Sequence, residues 1–460
     1  MIPPYIALLL GISFIIFLFC NDKRNASVSN ALWIPLMWLL IIGSRPLAQW
    51  LNPKPVVAVG TEAALMSGSP IDRAVFTILI IASIFILSSR KINWSQFLTG
   101  NAWIILLFCY CAVSILWSDF PFVSLKRWIK AVGTFLMVLV VLSDSNPVQA
   151  AMIIIRRCAF ILVPLSIVFI KYYPSIGRYY SPWGFQMCRG VTTTKNVLGS
   201  LCLVFAFYFF WNLFRAYRQE KLVSDKKEVI ISILFLIMIS WLITKAYSAA
   251  CVASLAVAVC FIMGISVKGE KVRFFGVNLL FVLFIFLVFQ LSFDFIALSI
   301  SKLGREMTFT GRIDLWKDVL SMTTNPLSGT GYESFWLGDR MIKLWENHWW
   351  KPNQAHNGYI EIYINLGLIG LFLLLGVIGS AYKRIRRTLG SDFNYGRFQV
   401  GFLAIVLIYN ITEASFKGIS IVWFVFLLIA VDASCFAQMK IQKNPTSYDF
   451  SGLDSQTLNK

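Results

Sequence analysis

The chain has 460 residues, of which 58% are hydrophobic and 14% are charged, and its mean hydropathy is +0.72. These values exclude an ordinary soluble globular protein, in which about 25% of residues are charged. The formal net charge of +19 does not by itself indicate nucleic-acid binding, because basic loops also set the orientation of membrane proteins.

Apolar runs of about 15 to 23 residues recur along the chain, and a helix needs such a length to cross roughly 30 Å of hydrocarbon. They predict an all-α polytopic integral membrane protein with about 12–13 transmembrane helices. Residues 1–20 are expected to be a retained first helix, because they lack the basic n-region and cleavage pattern of a signal peptide. The predicted spans are 5–20, 31–44, 73–88, 102–117, 128–143, 152–170, 196–214, 229–246, 249–267, 274–293, 359–381, 398–413 and 418–436.

The short connections between the predicted spans are basic, and counting spans places all of them on one side of the membrane. The positive-inside rule makes that side cytoplasmic. Most of the positive charge therefore reflects topology, and no nucleic-acid partner is expected. The basic connections are Lys23-Arg24, Arg90-Lys91, Arg156-Arg157, 215–228, 268–273 and 383–387.

This orientation predicts four parts of the chain. Residues 1–293 form an N-terminal bundle of about ten spans, and residues 294–358 form a long outer loop that contains short helices. Residues 359–436 form the C-terminal transmembrane helices. The polar segment 437–460 is expected to be a disordered cytoplasmic tail, because it is too polar to bury a core.

The predicted outer loops are also rich in lysine and arginine. Long loops obey the positive-inside rule poorly, so some of this charge needs no functional explanation. A basic outer face is nonetheless what a lipid-linked anionic substrate requires. Arg189, Lys195 and Arg305 lie in these loops and are candidate contacts to such a substrate.

The segment FTGRIDLWKDVLSM (309–322) predicts a short helix in the long outer loop, with Thr310 as its N-cap. The apolar residues of this helix fall on one arc, and Arg312 lies in the middle of it. A guanidinium on a buried face is costly unless it is paired or faces a cavity. Arg312 is therefore expected either to face a site or to pair with a carboxylate or an aromatic ring. The arc consists of Ile313, Leu315, Trp316, Val319 and Leu320.

One of the two histidines, His356, lies where the outer loop enters an apolar span, in the segment PNQAHNGYIEIYINLGLIG (352–370). A lone histidine near a helix start is more often a cap or a structural hydrogen-bonding residue, and this alternative stays open. Asn357 and Glu361 crowd the same boundary, and an imidazole there can act as a base near neutral pH. His348 lies within the loop and is expected to be solvated.

Sequence patterns for metal or nucleotide binding are missing from the chain. No Asp-x-Asp and no His-Glu-x-x-His pattern occurs, and the nine cysteines show no zinc spacing. Neither a Walker A loop nor a Gly-x-Gly-x-x-Gly fingerprint on a strand is present. We therefore expect an activity that uses no bound metal, no cofactor and no ATP within this chain.

Five segments resemble, in their order on one multi-span chain, the O-antigen ligase and Wzy-type polymerase superfamily. Two of them, at 189–199 and 409–416, are similar to its exopolysaccharide-polymerisation branch, the ExoQ-like proteins. The resemblance covers roughly residues 170–420, and the ordered set carries it. The segments are RGVTTTKNVLG (189–199), TGRIDLW (310–316), GTGYESFW (329–336), AHNGYIEIYINLGLIG (355–370) and YNITEASF (409–416).

The resemblance implies a fold of the large integral-membrane glycosyltransferase type. It implies metal-independent glycosyl transfer at the periplasmic face of a bacterial inner membrane, from a glycan on undecaprenyl pyrophosphate. A polymerase, the expected case, would pass the glycan to another lipid-linked glycan. A ligase, the alternative, would pass it to lipid A–core. The bilayer is an implied partner, and other polysaccharide-assembly proteins are candidate partners.

The resemblance also assigns roles to individual residues. Arg312 corresponds to the family's loop arginine, whose planar fork suits a departing pyrophosphate. His356 corresponds to the loop histidine, which would activate or position the acceptor hydroxyl. Catalytic roles are therefore expected for these two residues. The expected substrate-binding residues are Arg189, Lys195, Arg305, Asn357 and Glu361.

Two further expectations concern the surroundings of these residues. Asn357 and Glu361 are expected to hold the ring of His356. ExoQ-like members often carry histidine just before the Lys-Asn pair, where this chain has Thr194, and this difference leaves Lys195 a purely electrostatic role.

Two other classes of function remain open at the level of sequence. A secondary transporter would show inverted repeats and charged or broken helices near the middle of the membrane. No convincing repeat is visible, and the ionisable residues lie at span ends, as do Lys130, Lys245 and Glu413. A scaffold for a polysaccharide-assembly complex is the other alternative, and it would tolerate substitution of Arg312 or His356.

Overall fold

The structure is a computed structural model of the chain. It describes residues 2–23, 28–52, 68–218, 226–266, 278, 310–323 and 325–437. Within these ranges the protein is built almost entirely from α-helices, and its strands form a single two-stranded hairpin. The prediction of an all-α polytopic membrane protein is confirmed.

The described residues up to 218 contain ten helices and the hairpin. The helices are α1 (Pro4–Lys23), α2 (Trp33–Ile42), α3 (Leu47–Leu51), α4 (Pro70–Ser88), α5 (Trp94–Gly100), α6 (Ala102–Val113), α7 (Pro121–Leu142), α8 (Pro147–Tyr172), α9 (Pro174–Gly177) and α10 (Lys195–Arg218). Short 3₁₀ turns at Asn30–Leu32 and Ser114–Trp117 precede α2 and follow α6. The antiparallel strands are β1 (Arg178–Tyr180) and β2 (Gln186–Cys188).

The described residues after 218 contain the remaining helices. They are α11 (Lys226–Ala246), α12 (Ala249–Ile265), α13 (Thr310–Ser321), α14 (Gly338–Asn347), α15 (Gly358–Ser391), α16 (Phe393–Thr412), α17 (Ile421–Ala430) and α18 (Ser434–Ala437). The short helices α13 and α14 lie within the predicted outer loop. The division of the chain into four parts stays a prediction.

Each predicted span coincides with a described helix, except 274–293, of which only residue 278 is described. Six described helices are long and apolar enough to cross a membrane, or seven if α5 and α6, bent by 85°, count as one span. The longest helix in the apolar run 418–436 is the ten-residue α17, and all ten of its residues are buried. Ten helical residues extend over about 15 Å, half of the hydrocarbon thickness, so this run is apolar because it fills the protein interior.

A buried ion cluster joins the helix ends that the charge pattern assigns to the cytoplasmic side. Asp22, at the end of α1, is paired with both Arg156 and Arg157, which lie ten and eleven residues into α8 and not in a connection between helices. Arg156 Nη1 also lies 2.8 Å from Glu228 Oε1 in the first turn of α11. These contacts bring the predicted cytoplasmic ends of α1 and α11 together against α8, as the alternation of spans requires.

Helix α15 is broken at Gly367, whose φ of +65° and ψ of −164° are not helical. A non-glycine residue rarely adopts this conformation. A Cβ at this position would also lie 2.2 Å from the carbonyl oxygen of Leu327. The break leaves backbone groups of α15 without helical partners, and the segment 326–331 supplies them.

The segment 326–331 docks onto this break through backbone hydrogen bonds. The N–H groups of Thr330 and Gly331 donate to the carbonyls of Ile364 and Asn365 at 3.1 and 2.9 Å. In return, the N–H of Leu368 donates to the carbonyl of Pro326 at 2.8 Å. The sequence motif at 329–336 is therefore tied to the span that begins just after His356.

Candidate active site

Glu413 is the point at which four segments of the chain meet. Its side chain is 9% exposed and follows directly on α16. Its Oε1 lies 3.6 Å from Arg312 Nη2 and accepts a hydrogen bond of 3.1 Å from Asn196 Nδ2. Its Oε2 lies 3.3 Å from His356 Nδ1. One carboxylate thus contacts both residues that were predicted to be catalytic.

The backbone after α16 is shaped by Asn410, a fully buried residue of the motif at 409–416. Its Oδ1 accepts the N–H groups of Ser415 and Phe416 at 2.9 and 3.2 Å, which folds the chain back around Glu413. Gly358, two residues after His356, packs on the same amide, and a Cβ there would lie 2.2 Å from Asn410 Oδ1. The motifs around His356 and Glu413 are therefore interlocked.

Arg312 lies on the buried side of α13, as predicted. Leu315 and Val319, three and seven residues later, are 0% exposed. The Arg312 side chain is 26% exposed, and its Nη1 donates to the carbonyl of Thr412 at 2.7 Å. Pairing with a carboxylate was one of the two predicted outcomes. It does not exclude a role in a site, because the same carboxylate also contacts His356. The predicted arc is wrong at Leu320, which is 44% exposed.

His356 adopts a left-handed backbone conformation, with φ of +49°, which is uncommon for a residue other than glycine. Its Nδ1 lies 3.3 Å from Glu413 Oε2 and 3.3 Å from Gln354 Nε2. An unprotonated Nδ1 would present its lone pair to the carboxylate, so we assign the proton to Nδ1, donating to Glu413. Nε2 then carries the lone pair, and no residue in the described ranges bonds to it.

Asn357 and Glu361 bond to groups other than the histidine ring. Asn357 caps α15, because its Oδ1 accepts the N–H groups of Tyr359 and Ile360 at 2.9 and 3.1 Å. Glu361 is 6% exposed and accepts from the Ala355 N–H at 2.9 Å and from Trp336 Nε1 at 2.9 Å.

These two side chains therefore hold the backbone on both sides of His356. Glu413 takes the place beside the ring that was expected for Glu361. A role for Asn357 and Glu361 in binding substrate stays a prediction.

Arg189 and Lys195 lie in and after the segment that follows the β-hairpin. Arg189 Nε donates to the carbonyl of Ile176 at 2.9 Å, and burial lowers the pKa of Arg189 from its ordinary value. Lys195 begins α10, and its N–H donates to the Tyr179 hydroxyl at 3.3 Å. Its neighbour Asn196 is the residue of this segment that reaches Glu413. Arg305 lies outside the described residues.

Arg45 is a buried arginine that the sequence did not point to. It is 4% exposed, and its guanidinium donates to the carbonyls of Thr192, Ile176 and Gly190 at 2.8, 2.6 and 2.8 Å. Burial and the nearby charge of Arg189 lower the pKa of Arg45 to about 10. It ties together the backbone of the segment that leads to Asn196. Glu413 had two sequence signals, a charge at a span end and a place in the motif at 409–416, and neither named its partners.

The expectation that His348 is solvated is wrong. His348 is 9% exposed, and its Nε2 lies 3.0 Å from Asp318 Oδ2, which connects the end of α14 to α13. The helix packing that buries Leu344 at the end of α14 brings this histidine inward. Each histidine thus has one ring nitrogen beside a carboxylate, and the side chain of His348 is the less exposed of the two, at 10% against 16% for His356.

The part of the chain that the structure describes contains no candidate metal site. No group of three or more histidine, cysteine, aspartate or glutamate residues there is arranged to hold an ion. An anion beside His356 would instead be bound by a partly exposed cationic side chain, chiefly that of Arg312.

The multi-span helical fold and the Arg312–Glu413–His356 cluster define a membrane protein with a polar site at a helix boundary. A family model described as O-Antigen ligase matches residues 233–375, a segment that includes Arg312 and His356 and ends before Glu413. The chain is also 23% identical over 314 residues to the Exopolysaccharide production protein ExoQ of Rhizobium meliloti (strain 1021), covering 66% of this chain and 69% of that protein.

These matches confirm the predicted resemblance to the O-antigen ligase and Wzy-type polymerase superfamily, with ExoQ-like character. The matches support a membrane enzyme of the O-antigen ligase or polymerase type.

Proposed function

We propose that this protein polymerises glycan repeats carried on undecaprenyl pyrophosphate, at the periplasmic face of a bacterial inner membrane. The observation that carries the proposal is the single buried carboxylate, Glu413, shared between a partly exposed arginine and a histidine. The cluster lies where the long loop enters a span. A substrate with a prenyl tail in lipid and sugars in water would present its reacting atoms at this boundary.

In the proposed reaction, a hydroxyl oxygen of the acceptor glycan attacks the anomeric carbon of the donor. The new carbon–oxygen bond forms as the bond from that carbon to the pyrophosphate oxygen breaks. The hydroxyl proton passes to Nε2 of His356, and Glu413 stabilises the resulting imidazolium through Nδ1–H. The leaving group departs as undecaprenyl pyrophosphate and takes the bonding electron pair.

Arg312 supplies positive charge for the leaving group in this mechanism. Negative charge grows on the pyrophosphate as the bond breaks, and a guanidinium can donate two parallel hydrogen bonds to phosphate oxygens. Arg312 uses Nη1 on the Thr412 carbonyl and holds its remaining donors near Glu413, with about a quarter of the side chain exposed. We propose that the reaction is metal-independent for this reason.

The proposed sidedness is supported by the separation of the two charged clusters. Asp22, Arg156 and Glu228 join helix ends next to the short basic connections. The Glu413 cluster joins α10, α13, α15 and α16 at their other ends. A reporter fused in 383–387 should therefore read as cytoplasmic and one in 320–345 as periplasmic. The reverse labelling would contradict the proposal.

A ligase that transfers the glycan to lipid A–core is the second candidate, and the description of the matching family model favours it. The ExoQ match favours the polymerase. Deletion of the protein, followed by separate analysis of lipopolysaccharide and secreted polymer, distinguishes the two. Loss of long secreted polymer with intact core decoration supports the polymerase. Loss of long-chain decoration on the core supports the ligase.

The transfer step itself is tested with purified protein in nanodiscs, supplied with lipid-linked donor and acceptor. Product should form in excess chelator and without nucleotide, because the proposed charge-stabilising group is Arg312. Inhibition by the chelator that Mg²⁺ or Mn²⁺ specifically reverses would show that an ion carries that role.

A further inference from the structure

Three tryptophans from two separate segments form an aromatic surface next to the site. Trp183 lies in the turn of the β-hairpin, and Trp349 and Trp350 follow α14. The Trp183 and Trp349 ring centroids are 5.3 Å apart at 77°, and those of Trp183 and Trp350 are 6.5 Å apart at 24°. We refer to Trp183, Trp349 and Trp350 as the aromatic platform.

The platform is open to solvent at its outer edge. Trp183 is 55% exposed and Trp349 is 60% exposed. Two further large rings of the same hairpin, Tyr180 and Phe185, are 70% and 66% exposed. A cluster of exposed aromatic rings on extramembrane segments is a costly surface unless something covers it, and such surfaces mark binding sites.

The platform reaches the proposed catalytic residues through Trp350. The Trp350 ring centroid lies 6.1 Å from that of His356 and 6.1 Å from that of His348. The rings therefore lead from the exposed hairpin tip to the imidazole that is proposed to meet the acceptor hydroxyl. A chain of sugars that reacts at His356 would have to pass over or beside these rings.

We propose that the aromatic platform is a glycan subsite, on which pyranose rings of the sugar chain stack. The axial C–H bonds of a pyranose carry partial positive charge and pack on the negative face of an indole, while the sugar hydroxyls stay in water. This inference rests on the proposed function, because it identifies the occupant as the glycan that reacts at His356.

A membrane anchor is the competing explanation, because tryptophans also collect at the lipid–water interface. Interface tryptophans lie along the lipid-facing sides of spans. These three come from a hairpin turn and a loop, contact each other and continue to the ring of His356. The glycan subsite accounts for that continuity, and an anchor does not.

The test compares donors of different glycan length in nanodiscs. Trp183→Ala and Trp349→Ala should each raise the KM for a lipid-linked donor of several repeats by about threefold to tenfold, the effect of one lost aromatic stack. The kcat should stay within twofold, and a donor with one sugar should react as in the wild type. Trp183→Tyr keeps an aromatic ring, so its KM for the long donor should stay close to that of the wild type. This variant controls for folding.

Trp94→Ala is the matched control. Trp94 is 50% exposed and makes a similar T-shaped ring contact with Phe97, on the side of the protein assigned to the cytoplasm. It should show wild-type KM for every donor. Two results together would identify a membrane anchor and overturn the subsite. The platform variants would lose activity equally for all glycan lengths, and brominated acyl chains would quench the part of the wild-type tryptophan fluorescence that the variants lack.

A binding measurement separates this proposal from the transfer reaction. Oligosaccharides released by partial hydrolysis of the host cell's own secreted polymer serve as the probe, detected by ligand-observed NMR. We expect the oligosaccharides to bind the wild type and Trp94→Ala but not the Trp183→Ala/Trp349→Ala double variant. This result supports the platform even if no transfer occurs. If the wild type carries out transfer but the double variant shows the same KM and the same oligosaccharide binding, the platform is rejected while the proposed function stands.

Discussion

The two buried ion clusters of this protein differ in how completely their charges are enclosed. At Asp22, the carboxylate is 1% exposed, and the two arginines that pair with it, Arg156 and Arg157, are 12% and 7% exposed. Glu228, which pairs with Arg156 at the edge of this cluster, is 35% exposed. At Glu413, the carboxylate is similarly buried at 9%, but Arg312 is 26% exposed, and His356 has a ring nitrogen without a described partner. The Asp22 cluster satisfies its charges internally, whereas the Glu413 cluster keeps groups available for a ligand.

Backbone strain marks the same difference. His356 is held at φ of +49°, and the rigid contacts around it come from Asn357, Glu361 and Asn410. Strained residues persist where the surrounding structure over-determines them, and they concentrate at functional sites. Burial of a carboxylate alone would not have distinguished a site from a structural ion cluster here.

The largest effect is expected for His356→Ala. If Nε2 accepts the hydroxyl proton, loss of the ring should reduce single-turnover transfer by roughly 10²–10⁴-fold. His348→Ala is the control: it breaks the contact with Asp318 and should lower thermal stability more than rate. A larger rate loss for His348→Ala would mean that the catalytic histidine is misassigned.

Arg312→Ala is expected to rank next, with a loss of roughly 10²–10³-fold in kcat, the cost of removing one group that stabilises developing charge. Arg312→Lys should remain impaired, since a single ammonium cannot replace a bidentate fork. Both variants should accumulate in the membrane. Normal turnover by Arg312→Ala would return this arginine to a purely structural pairing with Glu413.

Glu413→Gln is expected to cost roughly 10- to 100-fold, the range seen when a partner that orients a metal-bound histidine is removed. Asn196 and the fold of 410–416 should be retained, because the amide has nearly the shape of the carboxylate. The informative readout is the single-turnover rate set against thermal stability: loss of orientation should lower the rate while the thermal midpoint stays near that of the wild type. A rate loss that only follows a fall in the thermal midpoint would indicate a structural role.

Asp22→Asn should have the smallest effect on turnover, within about twofold per folded molecule, while it destabilises the protein. Removing one partner of a buried ion pair leaves uncompensated charge and costs on the order of 3–5 kcal/mol. We expect a lower thermal midpoint in detergent and less protein in the membrane. A large loss of turnover at normal stability would contradict the distinction between the two clusters.

The sequence predicted the individual site residues better than their partners. Arg312 could be singled out because it interrupts an apolar arc, and Leu315 and Val319 confirm the buried face of that helix. His356 stood out at a loop boundary in a chain with two histidines. Glu413 lies 57 residues beyond His356, and a span-end charge has no local signature that names its partner.

The sequence by itself determined that the chain is a helical multi-span membrane protein, because hydropathy and helix length are properties of the residues alone. The tertiary structure decided where α15 breaks, that Arg45 holds the backbone before α10, and which carboxylate faces His356. Contacts of this kind join residues far apart in the chain. They depend on how whole helices pack, so local patterns of polarity cannot specify them.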